Sequence, residues 1–298
     1  MSDLRKVPAS AGAQWLLTGL ALFRKSPLRL AQLGVLLAMA ALVAMLLSQL
    51  NPALGAVMQL LVVFGTPVLM GGLIWAVREA ERGHTPGPRN LLEGFQAGRL
   101  PHLLVAVLPY FLASILLGSL LLVLVGSEGL QRWQTVQTEI NAIAQAGGQL
   151  SSEQLYEMAA TLPVFRFLLW VAITLFANLA IGLMLAVMLP QVMFAGTGGW
   201  AALINSLRGC GRNFAAMAVF YVLALVVLFA MNFIGAILMV VAGALLGPGV
   251  GLVLALGLFA AVVLPVFAGA IYTAWKQMFL HADAVVPDVP PRKDLFEA

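Results

Sequence analysis

Charge is what this chain has least of. Only 9% of its 298 residues are Asp, Glu, Lys or Arg, where a soluble domain carries about a quarter. So few charges cannot cover a water-facing surface, which excludes a soluble globular protein. Histidine is scarce too. The three, His84, His102 and His281, are far apart in sequence. None has a second ligand at metal spacing, and His281 with Asp283 is a weak pair. They read as surface histidines, and neither a metal nor a cofactor is expected. The single cysteine, Cys210, excludes an internal disulfide and reads as a plain reduced thiol in a basic segment. A cleaved signal peptide is excluded as well, because it needs a short apolar core of about 7–15 residues and a small-residue cleavage site. Here the first apolar run begins near residue 28, is longer than that, and is followed by no convincing site.

What the chain does have is apolar length. It is 62% hydrophobic, with a mean hydropathy of +1.00. A spanning helix needs about 20 apolar residues. Six stretches qualify, at 29–50, 54–77, 103–125, 164–189, 214–240 and 250–275. The expected fold is therefore an all-α polytopic bundle, one transmembrane domain over 1–298. "NPA" at 51–53 and "GPG" at 247–249 are tight turns that pair the first two and the last two spans.

The net charge of +4 and the pI near 9.6 need no nucleic acid to explain them, because the basic residues flank the spans. Five lie in the N-terminal segment up to Arg29 at the edge of the first span, four between the second and third, two between the fourth and fifth, and three follow the sixth. That side holds fourteen, the other only Arg132 and Arg166. Basic residues stay in the cytoplasm, so both termini are expected there, with 276–298 a cytoplasmic tail and 126–163 a periplasmic loop. In that loop Leu130, Trp133, Ile140 and Ile143 keep a helical period, Gly147-Gly148 ends it, and Ser151 with Gln154 forms a capping box for a second helix. The loop reads as a helical pair that caps the bundle, or as a docking site for a periplasmic protein partner.

A short pattern recurs before each pair of spans. "LLTGL" at 16–20, "LLEGF" at 91–95 and "LINSL" at 203–207 each precede a basic cluster and then two spans. Pro67 stands four residues before Gly71 and eleven before Arg78, as Pro265 does before Gly269 and Lys276. These matches predict three units of amphipathic interfacial helix plus helical hairpin, with helix kinks at Pro67 and Pro265. The short helices are expected at 14–25, 90–99 and 200–210. Their anchors to anionic headgroups on the cytoplasmic face would be Trp15, Arg24, Lys25, Trp200, Arg208 and Arg212.

The opening run, carried by Trp15, Leu16, Gly19, Leu22, Phe23, Arg24, Pro27 and Leu28, resembles the N-terminus of a family of proteobacterial multi-spanning inner-membrane proteins for which no activity is established. "SLRGCGRN" at 206–213 resembles that family's basic segment before its fifth span. Arg29 departs from the aromatic that members often carry after the Pro-Leu pair. The resemblance implies a bacterial inner-membrane location and architecture, and no catalytic residues.

Within the expected spans no Asp, Glu, Lys or His occurs, which argues against a proton-coupled pump and against an intramembrane enzyme. The polar residues there include Gln32, Gln59, Asn178 and Asn232. They read either as interhelical glue or as a polar path for a solute. Two functions stand open: a non-catalytic membrane component or scaffold, and a transporter or channel for an uncharged or amphipathic solute. The fourteen-to-two split of basic residues makes one outcome definite. A phosphatase reporter fused after Ala298, active only in the periplasm, should be silent; an active fusion contradicts the orientation.

Overall fold

The computed structural model describes residues 4–96, 98–146 and 151–279. Among them the chain is all-α, with six helices long and apolar enough to cross a membrane. The protein is an integral membrane protein. In order, the helices are α1 (Ala11–Lys25), α2 (Pro27–Leu50), α3 (Pro52–Glu81), α4 (Glu93–Gln96), α5 (Leu100–Leu104), α6 (Val107–Gln145), α7 (Ser152–Thr161), α8 (Val164–Leu185), α9 (Met188–Ala195), α10 (Gly199–Arg212), α11 (Phe214–Leu246) and α12 (Pro248–Phe279). A 3-10 turn, Pro88–Leu92, leads into α4. Gly147-Gly148 and residues 280–298, with His281, Asp283, Arg292 and Lys293, lie outside the described residues.

Local chemistry explains the hairpins. Asn51 caps α3, its side chain accepting from the N–H of Ala53 at 2.9 Å and of Leu54 at 3.3 Å, and Pro52 follows where a missing N–H costs nothing. Gly247, at a φ of 101°, turns α11 into α12. On the other side Ser151 and Gln154 form the reciprocal capping box at α7, at 3.1 and 3.0 Å.

α6 is interrupted at Gly126, at a φ of 74° and ψ of 165°, where a helix over the expected third span gives way to a second one that runs to Gln145. Two expectations are corrected here. The fourth span, 164–189, is broken where α8 gives way to α9 at Ala186 and Val187, the latter at a φ of −113° and ψ of 9°. The segment 90–99 is not one amphipathic helix but the 3-10 turn, α4 and a glycine turn at Gly98.

The short helices pack on the long ones through the same position of the recurring pattern. Its fourth residues are Gly19, Gly94 and Ser206. A Cβ at Gly19 would strike the carbonyl of Val266 in α12. One at Gly94 would meet Val68 of α3 and Leu103. Ser206 Oγ accepts from the N–H of Val187, at 3.2 Å. Two of the three valines follow a proline, Pro265 and Pro67, and the third stands at the helix break. The pattern's first residues, Leu16, Leu91 and Leu203, are buried, and its second, Leu17, Leu92 and Ile204, are exposed.

The ends of α1, α3 and α12 are tied together by charge. Glu81 accepts from Lys276 at 2.9 and 3.1 Å and from the Tyr272 hydroxyl at 2.8 Å, while its carbonyl accepts from Lys25 at 3.0 Å. Asn213 fixes the N-terminal segment, accepting from the Val7 N–H at 2.8 Å and donating to the Arg5 carbonyl at 3.0 Å. These groups gather at the end where α3 and α12 finish and α11 begins, the basic end. Backbone-to-backbone contact at Gly19 leaves no room for a side chain, so Gly19→Leu should cost about 1–3 kcal/mol through overpacking. Gly118→Leu, whose Cβ meets nothing within 4 Å, should cost little. Denaturation midpoints in micelles compare the two, and equal midpoints contradict the packing account.

Candidate functional site

A chamber of about 660 Å³ lies between α3, α6, the α8–α9 break, α11 and α12. Its walls follow from the irregular helices. Proline removes a backbone N–H and crowds the turn before it, and Pro67 lines the chamber, as does Ala186 at the break between α8 and α9. Most of the wall is aliphatic or aromatic. Gln59, Thr66, Tyr110 and Tyr221 bring the polar groups, and among the described residues the wall holds no carboxylate, lysine, arginine or histidine. Thr66 is already engaged, its hydroxyl donating to the Val62 carbonyl at 2.6 Å. Such a space suits an apolar or amphipathic molecule and offers no acid–base pair to act on it.

An aromatic cluster stands between the chamber and the basic end. Phe194 is its centre, with ring centroids 5.6 Å from Trp75, 5.4 Å from Tyr272 and 5.3 Å from Trp275. Met70 and Leu189 line the chamber, and Trp75 and Phe194 follow them by five residues, about 7.5 Å further along their helices. The Arg78 guanidinium lies 4.7 Å from the Phe194 ring and 5.2 Å from Trp75, and Arg99 lies 5.3 Å from Trp75. Cations over these ring faces are attracted by the quadrupole.

Of the polar residues that sequence reasoning singled out, only Gln59 reaches the chamber. Gln32 is exposed near the start of α2. Asn178 donates to the Thr174 carbonyl and Asn232 to the Leu228 carbonyl, both at 2.8 Å and both within their own helices. Each amide thus has one N–H bonded a turn back in its own helix, and Asn232 lines a cleft between α11 and α12. Pro265 lies inside α12 beside Gly34 of α2, away from the chamber wall.

The interfacial residues divide. Trp15 does not face headgroups. Its side chain is 0% exposed, packed at 6.0 Å from the Phe220 ring with its N–H donated to Gln277 at 2.7 Å. An indole that finds both apolar cover and an acceptor within the protein has no need of the membrane interface. Trp200 is 60% exposed, and Arg24, Arg208 and Arg212 are exposed too. In α10 the buried stripe is the small one, including Ala202, Ser206 and Gly209, while Trp200, Ile204 and Leu207 face outward.

Phe194, Trp275 and Arg99 were missed as a group because they come from three distant segments. Their only local signal was aromatic and basic residues near the ends of apolar runs. Among the described residues no three of His, Cys, Asp and Glu come together where they could hold a metal ion. No known protein family, curated protein or solved structure matches the chain.

Cys210 is buried on α10. Burial pushes its thiol up to about 11, against a smaller downward pull from a hydrogen bond with Ser206. At pH 8 the nucleophilic thiolate is then a minor species, and alkylation should run roughly a hundredfold slower than for a free thiol. The rate should climb with pH until about 11. Labelling by iodoacetamide across pH 7–10 checks this, and a rate near that of a free thiol at pH 8 refutes it.

Proposed function

We propose that this protein takes up an uncharged or amphipathic solute from the bilayer, as a transporter-like membrane protein without catalytic residues. The chamber carries the reading. It is roomy, largely apolar, and sits beside Pro67 of α3 and the break between α8 and α9. Interrupted helices around a mid-membrane space are a recurring way to build a solute site. The three Val-backbone contacts of Gly19, Gly94 and Ser206 support a chain of three units, each short helix seated on the preceding hairpin, the first on the last. A bacterial inner-membrane location with both termini in the cytoplasm rests on the family resemblance and on the distribution of basic residues. Exposed Trp200, Arg208 and Arg212 fit contact with anionic headgroups on that face.

The scaffold reading has its own observation. A cleft of about 640 Å³ between α6 and α7 is lined by Arg132, Glu139, Gln154 and Glu157, polar enough to seat a protein partner at the segment 126–163. Charge reversal at Glu139 and Glu157 that leaves every co-purifying protein in place would sink it.

The chamber reading predicts a steric effect. Val63→Trp and Ala186→Phe fill the space from two walls. Each should reduce by about tenfold the retention of a brominated or spin-labelled apolar probe by the purified chain, while Val123→Trp on the exposed face of α6 should not. Equal retention by all three variants and the parent contradicts a solute site in the chamber.

A further inference from the structure

Two arginines at the basic end form no ion pair among the described residues. Arg78 and Arg99 both lie over the Trp75 ring, at 5.2 and 5.3 Å. The ion pairs among the described residues join Arg82 and His84 to Glu79 and Lys276 to Glu81, and include neither of them. The Nη1 of Arg99 is sealed from solvent and has no hydrogen-bond partner among the described residues. A buried charge-bearing donor without a partner is costly, and two guanidinium groups beside one indole repel each other. Both costs fall if an anion with several acceptor oxygens sits against the pair. Phosphate fits best, because the planar guanidinium fork binds it through paired N–H donors.

The position of the pair narrows the ligand further. Met70 and Ala106 line the chamber. Arg78 follows Met70 by eight residues on α3, about 12 Å along the helix. Arg99 precedes Ala106 by seven residues through α5. Both arginines therefore stand beyond the same end of the chamber, on adjoining walls. A molecule that reaches both places has an anionic head and an apolar chain. We infer that Arg78 and Arg99 form a phosphate-headgroup site and that the chamber takes the chain of the same phosphate-bearing lipid. This rests on the solute reading of the chamber and names its ligand class.

Lipid retention by the full-length chain in neutral detergent, followed by native mass spectrometry, tests the assignment with four probes: phosphatidylglycerol, phosphatidylcholine, glycerophosphoglycerol and inorganic phosphate. The parent should retain phosphatidylglycerol about tenfold more than phosphatidylcholine, and Arg78→Gln with Arg99→Gln should erase that preference. Arg78→Lys with Arg99→Lys keeps the charge but loses the fork, and should cut the preference severalfold. It serves also if the glutamine pair does not fold. Val63→Trp should lower retention of both lipids and leave their ratio unchanged. A preference that survives both arginine pairs overturns the headgroup site while leaving the chamber reading intact. Retention unmoved by Val63→Trp sinks the chamber reading, and a preference still lost in the arginine pairs then marks a headgroup site alone. Displacement of the lipid by inorganic phosphate or glycerophosphoglycerol at matching concentration overturns the lipid assignment and marks a site for a soluble phosphate. Failure of both to compete supports the lipid.

Discussion

The architecture depends on close approach of short helices to long ones at three points. Gly19 presses on the Val266 carbonyl, Gly94 on Val68, and Ser206 satisfies the Val187 N–H. At each point the long helix is irregular or follows proline, and a short helix with a missing or minimal side chain closes on it. In hydrocarbon no water is available to meet polar backbone groups, so neighbouring protein must cover them. The short helices supply that cover. Without them the spans have little else to hold them at this end, since the chain has few charges to form ion pairs. Glu81 uses some of those few to fasten α1 and α12 to the end of α3.

The same irregularities open the structure further in. Pro67 and Ala186 line the chamber. At the α8–α9 break cover and space sit side by side: Ser206 meets the Val187 N–H, and the neighbouring Ala186 lines the chamber. The aromatic cluster of Trp75, Phe194, Tyr272 and Trp275 then lies toward the basic end from this space. Its two cations, Arg78 and Arg99, lie at the boundary where an amphipathic molecule changes character.

The far side of the molecule is built differently. α6 and α8 run beside each other, joined by the Trp170 N–H donated to the Leu117 carbonyl at 2.8 Å and by Trp133 against Phe167 at 5.0 Å. Arg166 donates across the pair to the Leu124 carbonyl at 3.5 Å, and Arg132 donates to the Thr161 carbonyl at the end of α7 at 3.4 Å. This pair closes on itself at that end, and the central chamber borders on its other half.

By itself the sequence determined the class of the fold and the number of long apolar helices, because hydropathy over twenty residues is a local property. It also determined the hairpin turns at Asn51 and Gly247 and the cap at Ser151, since these need only neighbouring residues. The recurring pattern was legible, but not what its fourth position touches. Only the tertiary structure decided that Trp15 turns inward to Gln277, 262 residues away, and that Asn178 and Asn232 bond within their own helices. It also decided that Phe194, Trp275 and Arg99 meet near Trp75. An amphipathic stripe says which residues share a face. It cannot say whether lipid or protein covers that face, because both are apolar, and that choice rests on how closely another helix can approach.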